Sequence, residues 1–229
     1  MQNLPQPSWA DLVKGCRAFH ADEPKDPFYR VSQWVLERCW ESGSLLNLPM
    51  AAGALGVLAV SWNTGYYRGL APDFEVVEQF LVNNRSELLE LRGRTIPSFE
   101  KAQDAAVVGR LFRKLRSILG VGKRSPVTKR VRRTQAHIPA GKVLHMLAPN
   151  LLPLWDNNIA REWRCNWSPA YSSDQAYLGF VELSRDTLSR ISPWPELERR
   201  SQSLRGHVGG PLKVLDEWNY AKFTGEWIR

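Results

Sequence analysis

The residue types best suited to chemistry lie between His137 and Trp163, in the sequence HIPAGKVLHMLAPNLLPLWDNNIAREW. Asp156 directly precedes Asn157-Asn158-Ile159, a pattern typical of a helix start with a carboxylate at the N-cap. Apolar residues surround this aspartate, and a carboxylate in such surroundings must cap a helix or meet a cation. The sequence therefore predicts a carboxylate held in a fixed orientation. The alternative is a purely structural cap.

Lys142 is predicted to lie close to this carboxylate in space. The preceding Ile138-Pro139-Ala140-Gly141 predicts a tight turn, whose backbone N–H groups at His137 and Gly141 would face a phosphate. Pro149 and Pro153 forbid one continuous helix. The short helix that starts at Lys142 must then fold back on the helix that starts at Asp156.

The positive charge of the chain is concentrated just before Asp156. The chain carries 31 Lys and Arg against 23 Asp and Glu, a net charge of +8. Residues 105–155 contain no acid and eleven cations: Arg110, Arg113, Lys114, Arg116, Lys123, Arg124, Lys129, Arg130, Arg132, Arg133 and Lys142. A field of this kind favours a polyanion such as DNA or RNA. Residues 123–135 predict an exposed loop or frayed helix, and a solvated basic loop is the alternative to a binding surface.

Aromatic and polar residues follow the apolar helix predicted over 49–63. They are Trp62, Asn63, Tyr66, Tyr67 and Arg68. Tyrosines at such a position can stack on a nucleic-acid base. A turn whose aromatic rings cap the core is the alternative.

Trp62, Tyr67, His145 and Trp155 are candidates for the wall of a pocket that would hold a nucleic-acid base. His145 lies one turn beyond Lys142 on the same helix face, and Trp155 directly precedes the acid. Core packing is the alternative for His145 and Trp155.

Two of these motifs resemble the helix-hairpin-helix DNA glycosylase superfamily. Pro153-Leu154-Trp155-Asp156 resembles its Pro-x-Asp ending, with one additional residue, and residues 138–142 resemble a shortened hairpin followed by lysine. The second glycine of the hairpin pattern is missing, and the step of fourteen residues from Lys142 to Asp156 is short for the family.

The resemblance implies an all-α glycosylase-like fold with a hairpin turn and one or two small helical subdomains. It also implies double-stranded DNA as the partner and excision of a flipped-out base, which leaves an abasic site. Asp156 would stabilise positive charge at the sugar, and Asn63 would enter the gap that the base leaves. No cofactor is expected, because the cysteine cluster that holds an iron–sulfur centre in some relatives is absent.

The substrate and the role of Lys142 stay open at this point. The family includes repair enzymes for oxidised, alkylated or deaminated bases and phage-defence enzymes that remove hypermodified cytosines, and the small build of this chain resembles the latter. Lys142 has three interpretations: a nucleophile that adds a lyase step, a phosphate contact, or a helix-end lysine whose head reaches solvent.

The periodicity of apolar residues predicts an all-α protein. The helices are predicted over 8–20, 26–42, 49–63, 73–92, 98–119, 173–191 and 211–222. The second of them carries Val31 and Trp34 in its apolar core stripe, and residues 193–195 predict a break. We expect a single unit over 1–229, with a DNA-binding and catalytic core over 49–165 and packing helices over 1–48 and 166–229.

Composition excludes several other classes. No apolar run is long enough for a membrane span, and no signal peptide is visible. Cys16, Cys39 and Cys165 form no metal-ligand or disulfide pattern, which favours buried thiols in a reducing cytoplasm. NTPase, zincin and serine-hydrolase motifs are absent. A monomeric glycosylase is the leading hypothesis. The alternatives are a non-catalytic nucleic-acid-binding protein that uses the basic arm over 110–142, and a helical scaffold.

Overall fold

The computed structural model confirms the all-α prediction. It describes residues 4–22, 26–40, 47–68, 70–124, 131–166, 168, 172–204 and 209–228; for 123, 124 and 131–133 it describes the backbone alone. Within these residues the chain forms twelve α-helices and one short antiparallel strand pair. None of the described helices combines the length and the apolar character that crossing a bilayer requires.

Six helices form the first part of the fold. Asn47 and Asp73 cap two of them with side-chain oxygens that accept backbone N–H groups. The six helices are α1 (Trp9–Asp22), α2 (Pro27–Cys39), α3 (Leu48–Ser61), α4 (Thr64–Tyr67), α5 (Phe74–Asn83) and α6 (Arg85–Arg92).

The second part begins after a 3₁₀ turn at Ile96–Ser98 and ends in a π-helical turn at Tyr220–Thr224. Its elements are α7 (Lys101–Ile118), β1 (Gly122–Arg124), β2 (Val131–Arg133), α8 (His137–Leu147), α9 (Asn157–Glu162), α10 (Ser173–Ile191), α11 (Trp194–Gln202) and α12 (Pro211–Asn219).

Helix α3 lies at the centre of the core, because its small residues let neighbouring helices approach closely. It packs against α2, α5 and α8, and Ala51, Ala52 and Ala59 on it are buried. Helix α1 packs along α12 at the other end of the chain. The π-helical turn that follows α12 packs against both α1 and α9, the helix that Asp156 caps.

The predicted tight turn at 138–141 is wrong, because these residues belong to the first turns of α8. Pro139 is tolerated there since the first four N–H groups of a helix lack partners within it. Gly141 is buried, and a Cβ at this position would come within 2.6 Å of the Trp155 ring. It serves close packing and does not offer its backbone to a phosphate.

Three other local predictions are corrected. Residues 122–124 and 131–133 pair as strands where a loop or frayed helix was expected. The helix predicted over 73–92 breaks at Asn84, whose side-chain amide donates to the Phe80 carbonyl at 2.6 Å. Residues 193–195, expected as a break, begin α11.

Helix α2 also differs from its predicted role in the core. Val31 and Trp34 were placed in an apolar core stripe, yet 61% and 55% of their surface is exposed. The helix buries the opposite side instead, where Tyr29 and Leu36 lie.

Candidate active site

Asp156 is held by both of its carboxylate oxygens. Oδ1 accepts the backbone N–H of Ile159 at 2.8 Å, the N-cap bond of α9. Oδ2 accepts the hydroxyl of Thr224 at 2.9 Å. Thr224 ends the π-helical turn after α12, an irregularity often found at functional sites. The carboxylate therefore has one fixed orientation, set by two elements distant in sequence.

Lys142 lies on the second turn of α8 and contacts the end of α3. Its Nζ donates to the Trp62 carbonyl at 3.2 Å and to Asn63 Oδ1 at 3.3 Å, and it lies 5.3 Å from the centre of the Trp62 ring. Burial lowers the pKa of this amine, although the charge of Asp156 opposes the shift. A larger neutral fraction follows at physiological pH.

Lys142 and Asp156 line two adjoining cavities. The inner cavity, of about 300 Å³, is lined by Phe19, Asp26, Pro27, Phe28, Ser61, Trp62, Lys142, Leu154, Trp155, Asp156, Ile159, Lys213, Asp216 and Tyr220. The outer groove, of about 530 Å³, is more open and is lined by Trp62, Asn63, Gly65, Tyr66, Gln135, His137, Ile138, Pro139, Lys142, Asp156, Asn157, Asn158, Tyr220 and Thr224. Both volumes are typical of small-ligand sites. The lysine and the aspartate thus stand where the groove meets the cavity.

A buried ionic cluster forms another part of the inner cavity. Lys213 on α12 is 2% exposed, and its Nζ lies 3.0 Å from Oδ2 of both Asp26 and Asp216 and 3.9 Å from Oε1 of Glu217. Asp26 precedes α2 in a left-handed backbone conformation with φ of 32°. Three carboxylates therefore share one lysine.

The cluster shifts the pKa values of its members in a consistent way. Burial opposes the charge of Lys213, but Asp216, Asp26 and Glu217 outweigh it, so the pKa of Lys213 is raised well above its ordinary value. Burial raises the pKa of Asp216, and the charge of Lys213 limits that rise. Lys213 is therefore a permanently charged anchor for the carboxylates.

Aromatic rings surround the Lys213 ammonium. It lies 4.8 Å from the ring centres of Phe19 and Tyr29 and 5.5 Å from that of Trp62, within the range of cation–π attraction. The Tyr29 and Trp62 rings stack at 5.8 Å with an angle of 8° between them. This stack fixes the ring of Trp62 that lines both cavities.

The structure brings together seven of the residues that the sequence singled out. Each of them lines one or both cavities: Trp62, Asn63, Tyr66, His137, Lys142, Trp155 and Asp156. Burial, followed by the nearby charge of Arg116, lowers the pKa of His137.

Tyr67 and His145 line neither cavity, so their predicted place in the base pocket is wrong. Tyr67 is fully buried and donates its hydroxyl to the Leu119 carbonyl at 3.1 Å. His145 is fully buried between Tyr29 Oη at 3.0 Å and the Leu152 carbonyl at 2.7 Å. Burial lowers its pKa to about 3, so His145 is a neutral core residue that supports Tyr29.

The strand pair lies next to the outer groove. Directly after β2, Thr134 Oγ1 lies 2.6 Å from the Tyr66 hydroxyl, and Gln135 lines the groove. The strands contain the predicted DNA-binding residues Lys123, Arg124, Arg132 and Arg133, whose side chains lie outside the described part; Lys129 and Arg130 lie outside the described residues altogether. Arg68 is exposed, and its Nε donates to the Gly65 carbonyl at 3.2 Å beside the groove.

The cations of α7 contribute less to the field than the sequence predicts. Arg110 pairs with Glu87 and Arg113 with Asp174. These acids come from α6 and α10, outside the acid-free stretch of sequence. Packing therefore neutralises part of the basic arm.

Several residues that line the two cavities come from α1, the start of α2, and α12 with the turn that follows it, and the sequence did not predict them. Asp26, Lys213, Asp216 and Thr224 lie in segments that were expected only to pack. One signal was present: Lys213 stands between Leu212 and Val214 in an otherwise apolar helix, with acids three and four residues later. That pattern is also typical of an ordinary surface ion pair.

Comparisons of this chain with protein-family models, with curated proteins and with solved structures gave no match.

Proposed function

We propose that the protein is a DNA glycosylase that extrudes a damaged or modified base and cleaves its N-glycosidic bond. The observation that carries the proposal is the place of Asp156, a carboxylate held by both oxygens at the junction of the outer groove and the aromatic inner cavity. An enzyme cannot reach a base that is stacked inside the duplex, so the base must first be extruded. In this arrangement the base enters the inner cavity while the sugar stays beside Asp156.

The chemistry follows from that placement. Cleavage of an N-glycosidic bond develops positive charge on the sugar, and a fixed carboxylate stabilises it without reorganisation. The same carboxylate orients or deprotonates the attacking water. Trp62, Trp155 and Tyr220 supply aromatic surface in the cavity for the base.

Lys142 is the group that decides whether strand cleavage follows. Burial lowers the pKa of its amine, which favours the neutral form that attack on the sugar C1′ requires. If it acts in this way, the product is a nicked strand. If it acts only as a cation beside the groove, the product is an abasic site.

Duplexes containing damaged bases, and DNA from a phage with hypermodified cytosine, test the proposal with wild type, Asp156→Asn and Lys142→Gln. Asparagine is as good an N-cap as aspartate, so Asp156→Asn is expected to fold normally and to lose about 100-fold or more in excision rate. Strand breaks are measured with and without alkali. Breaks that need alkali and Asp156 indicate a monofunctional enzyme, and breaks without alkali that need Lys142 indicate the lyase step.

The competing function is non-catalytic nucleic-acid binding through the basic arm over 110–142. It predicts no breaks on any of these substrates and equal, salt-sensitive binding by all three proteins. That result would contradict the glycosylase proposal.

A further inference from the structure

The inner cavity contains an acidic wall that cleavage at Asp156 does not use. Asp26 and Asp216 line the cavity together with Lys213, and all three come from the ends of the described chain rather than from α8 or α9. Bond cleavage needs one carboxylate at the sugar. Two further carboxylates in an aromatic pocket therefore require another explanation.

The hydrogen-bonding capacity of this wall is only partly used. Lys213 Nζ lies 3.0 Å from Oδ2 of each aspartate, and a carboxylate can accept more than the one contact made at that oxygen. Asp26 is 7% exposed, and its Oδ2 accepts no hydrogen bond among the described residues although Lys213 Nζ lies 3.0 Å away. The ion pair with Lys213 offsets part of the cost of burying this carboxylate, and a ligand that donates a hydrogen bond to it would offset more.

The charge of the wall points to the same kind of ligand. Glu217 lies 3.3 Å from His20 Nε2 as well as near Lys213, and it does not line the cavity. At the cavity wall itself the two carboxylates of Asp26 and Asp216 face one lysine, Lys213. The adjoining surfaces of Phe19, Trp62 and Tyr220 suit a planar ring. The cavity thus favours a flat ligand with an electropositive, donor-bearing edge.

We propose that Asp26 and Asp216 select an extruded base that carries an exocyclic amino group, by accepting hydrogen bonds from that group. The inference rests on the glycosylase function proposed above and narrows its substrate class. Cytosine- and adenine-type bases present an amino group on the edge that pairs in the duplex. Deaminated bases place a carbonyl oxygen there, which two carboxylates repel. The wall therefore admits amino bases and rejects uracil and hypoxanthine.

The test compares bases that differ only in this group. Duplexes carry cytosine, uracil, adenine or hypoxanthine opposite an abasic-site analogue, so that no partner base opposes extrusion. Dissociation constants are measured by fluorescence anisotropy at one salt concentration with Asp156→Asn, which holds the substrate uncleaved. We expect about tenfold or tighter binding of cytosine over uracil and of adenine over hypoxanthine, because a site built for a donor rejects an analogue that lacks it.

Asp216→Asn, added to the Asp156→Asn protein, is expected to reduce each ratio of dissociation constants between carbonyl and amino base to about threefold or less. The reason is that an amide offers a donor as well as an acceptor. Asp186→Asn, which changes an exposed aspartate on α10, is the matched control and should leave both ratios unchanged. If Asp216→Asn does not fold, the comparison of bases in Asp156→Asn alone decides.

Equal binding of the amino and carbonyl bases, or tighter binding of uracil or hypoxanthine, would overturn the inference. The outcomes also separate it from the proposed function. Asp156-dependent excision that favours deaminated bases would keep the glycosylase and refute the amino-selective wall. A preference for amino bases in binding, with no excision of any substrate, would refute the glycosylase and support the wall.

Discussion

Lys142 and Lys213 line the same cavity, but their neighbours place the two amines in opposite electrostatic states. Lys142 meets a backbone carbonyl and an amide oxygen, and burial lowers its pKa. Lys213 is buried more completely, yet three carboxylates raise its pKa. The positive charge of Lys213 also contributes to the lowered pKa of Lys142.

The difference shows how one cavity can hold a stable charge and a reactive amine together. Desolvation acts against the charged form of both lysines, and the supply of carboxylates decides which one keeps its proton. In the proposed function, the wall that contains Lys213 binds the base. The junction that contains Lys142 and Asp156 then carries the bond cleavage.

The largest expected difference between the two regions is in stability. Lys213→Met should lower the free energy of unfolding by about 3–5 kcal/mol, because it leaves buried carboxylates without their cation. Lys142→Met should cost only about 1 kcal/mol, the scale of the hydrogen bonds that it removes. Urea unfolding of both variants beside wild type measures the difference. Equal losses would contradict the contrast between the two lysines.

The pH dependence of Lys213→Met sharpens the same comparison. The pKa of Asp216 is already raised in wild type by burial, and Lys213 limits the rise. Without Lys213, Asp216 keeps its proton in the folded protein at pH values where the unfolded chain has lost it. The free energy of unfolding therefore falls as the pH rises above about 4, the pKa of an aspartate in the unfolded chain. The difference in unfolding free energy between wild type and Lys213→Met should therefore become smaller as the pH is lowered from 8 to 5. A constant deficit across that range would contradict this account.

Chemical labelling should show a smaller but direct difference between the two amines. Only a neutral amine reacts with an acetylating reagent, so Lys142 should be acetylated at least about tenfold faster than Lys213 at pH 8.5. Mass spectrometry of the native protein measures both rates, and labelling after denaturation is the control in which the rates should converge. Faster labelling of Lys213 would refute the assigned pKa directions.

The smallest expected effect concerns the hydroxyl that orients Asp156. Thr224→Val removes the hydrogen bond to Oδ2 and should lower the excision rate by about threefold to tenfold, the scale of one net hydrogen bond of about 1 kcal/mol. Thr224→Ser keeps the hydroxyl and should stay near wild type. Single-turnover rates with saturating enzyme measure this effect apart from DNA binding. Equal rates for both variants would show that the N-cap bond alone orients the acid.

The sequence predicted the local elements well where a single physical signal dominated. Asp156 was identified as an N-cap from the residues that follow it, and the backbone N–H of Ile159 bonds to it as expected. Helix α10 matches its predicted bounds, 173–191, because its apolar period is uninterrupted. The prediction at 138–141 failed because proline and glycine are typical both of turns and of a closely packed first helical turn.

Charge was harder to predict, because partners that are distant in sequence decide it. The cations of α7 looked unopposed along the chain, yet Glu87 and Asp174 meet two of them after folding. Lys213 and Asp26 are separated by almost the whole chain, and no periodicity connects them. Burial of Tyr67 and His145 was likewise decided by the helices that pack over them.

The sequence by itself determined the all-α class, the capped carboxylate at Asp156 and the presence of Lys142 near it, since these follow from local periodicity, capping and proline constraints. Only the tertiary structure decided that α1, α2 and α12 complete the cavity. Lys213 on α12 meets Asp26 at the start of α2, with Asp216 one turn further along α12, and packing of the π-helical turn against α9 places Thr224 beside Asp156. The physical reason is that desolvation and charge pairing depend on which surfaces meet, and these surfaces belong to opposite ends of the described chain.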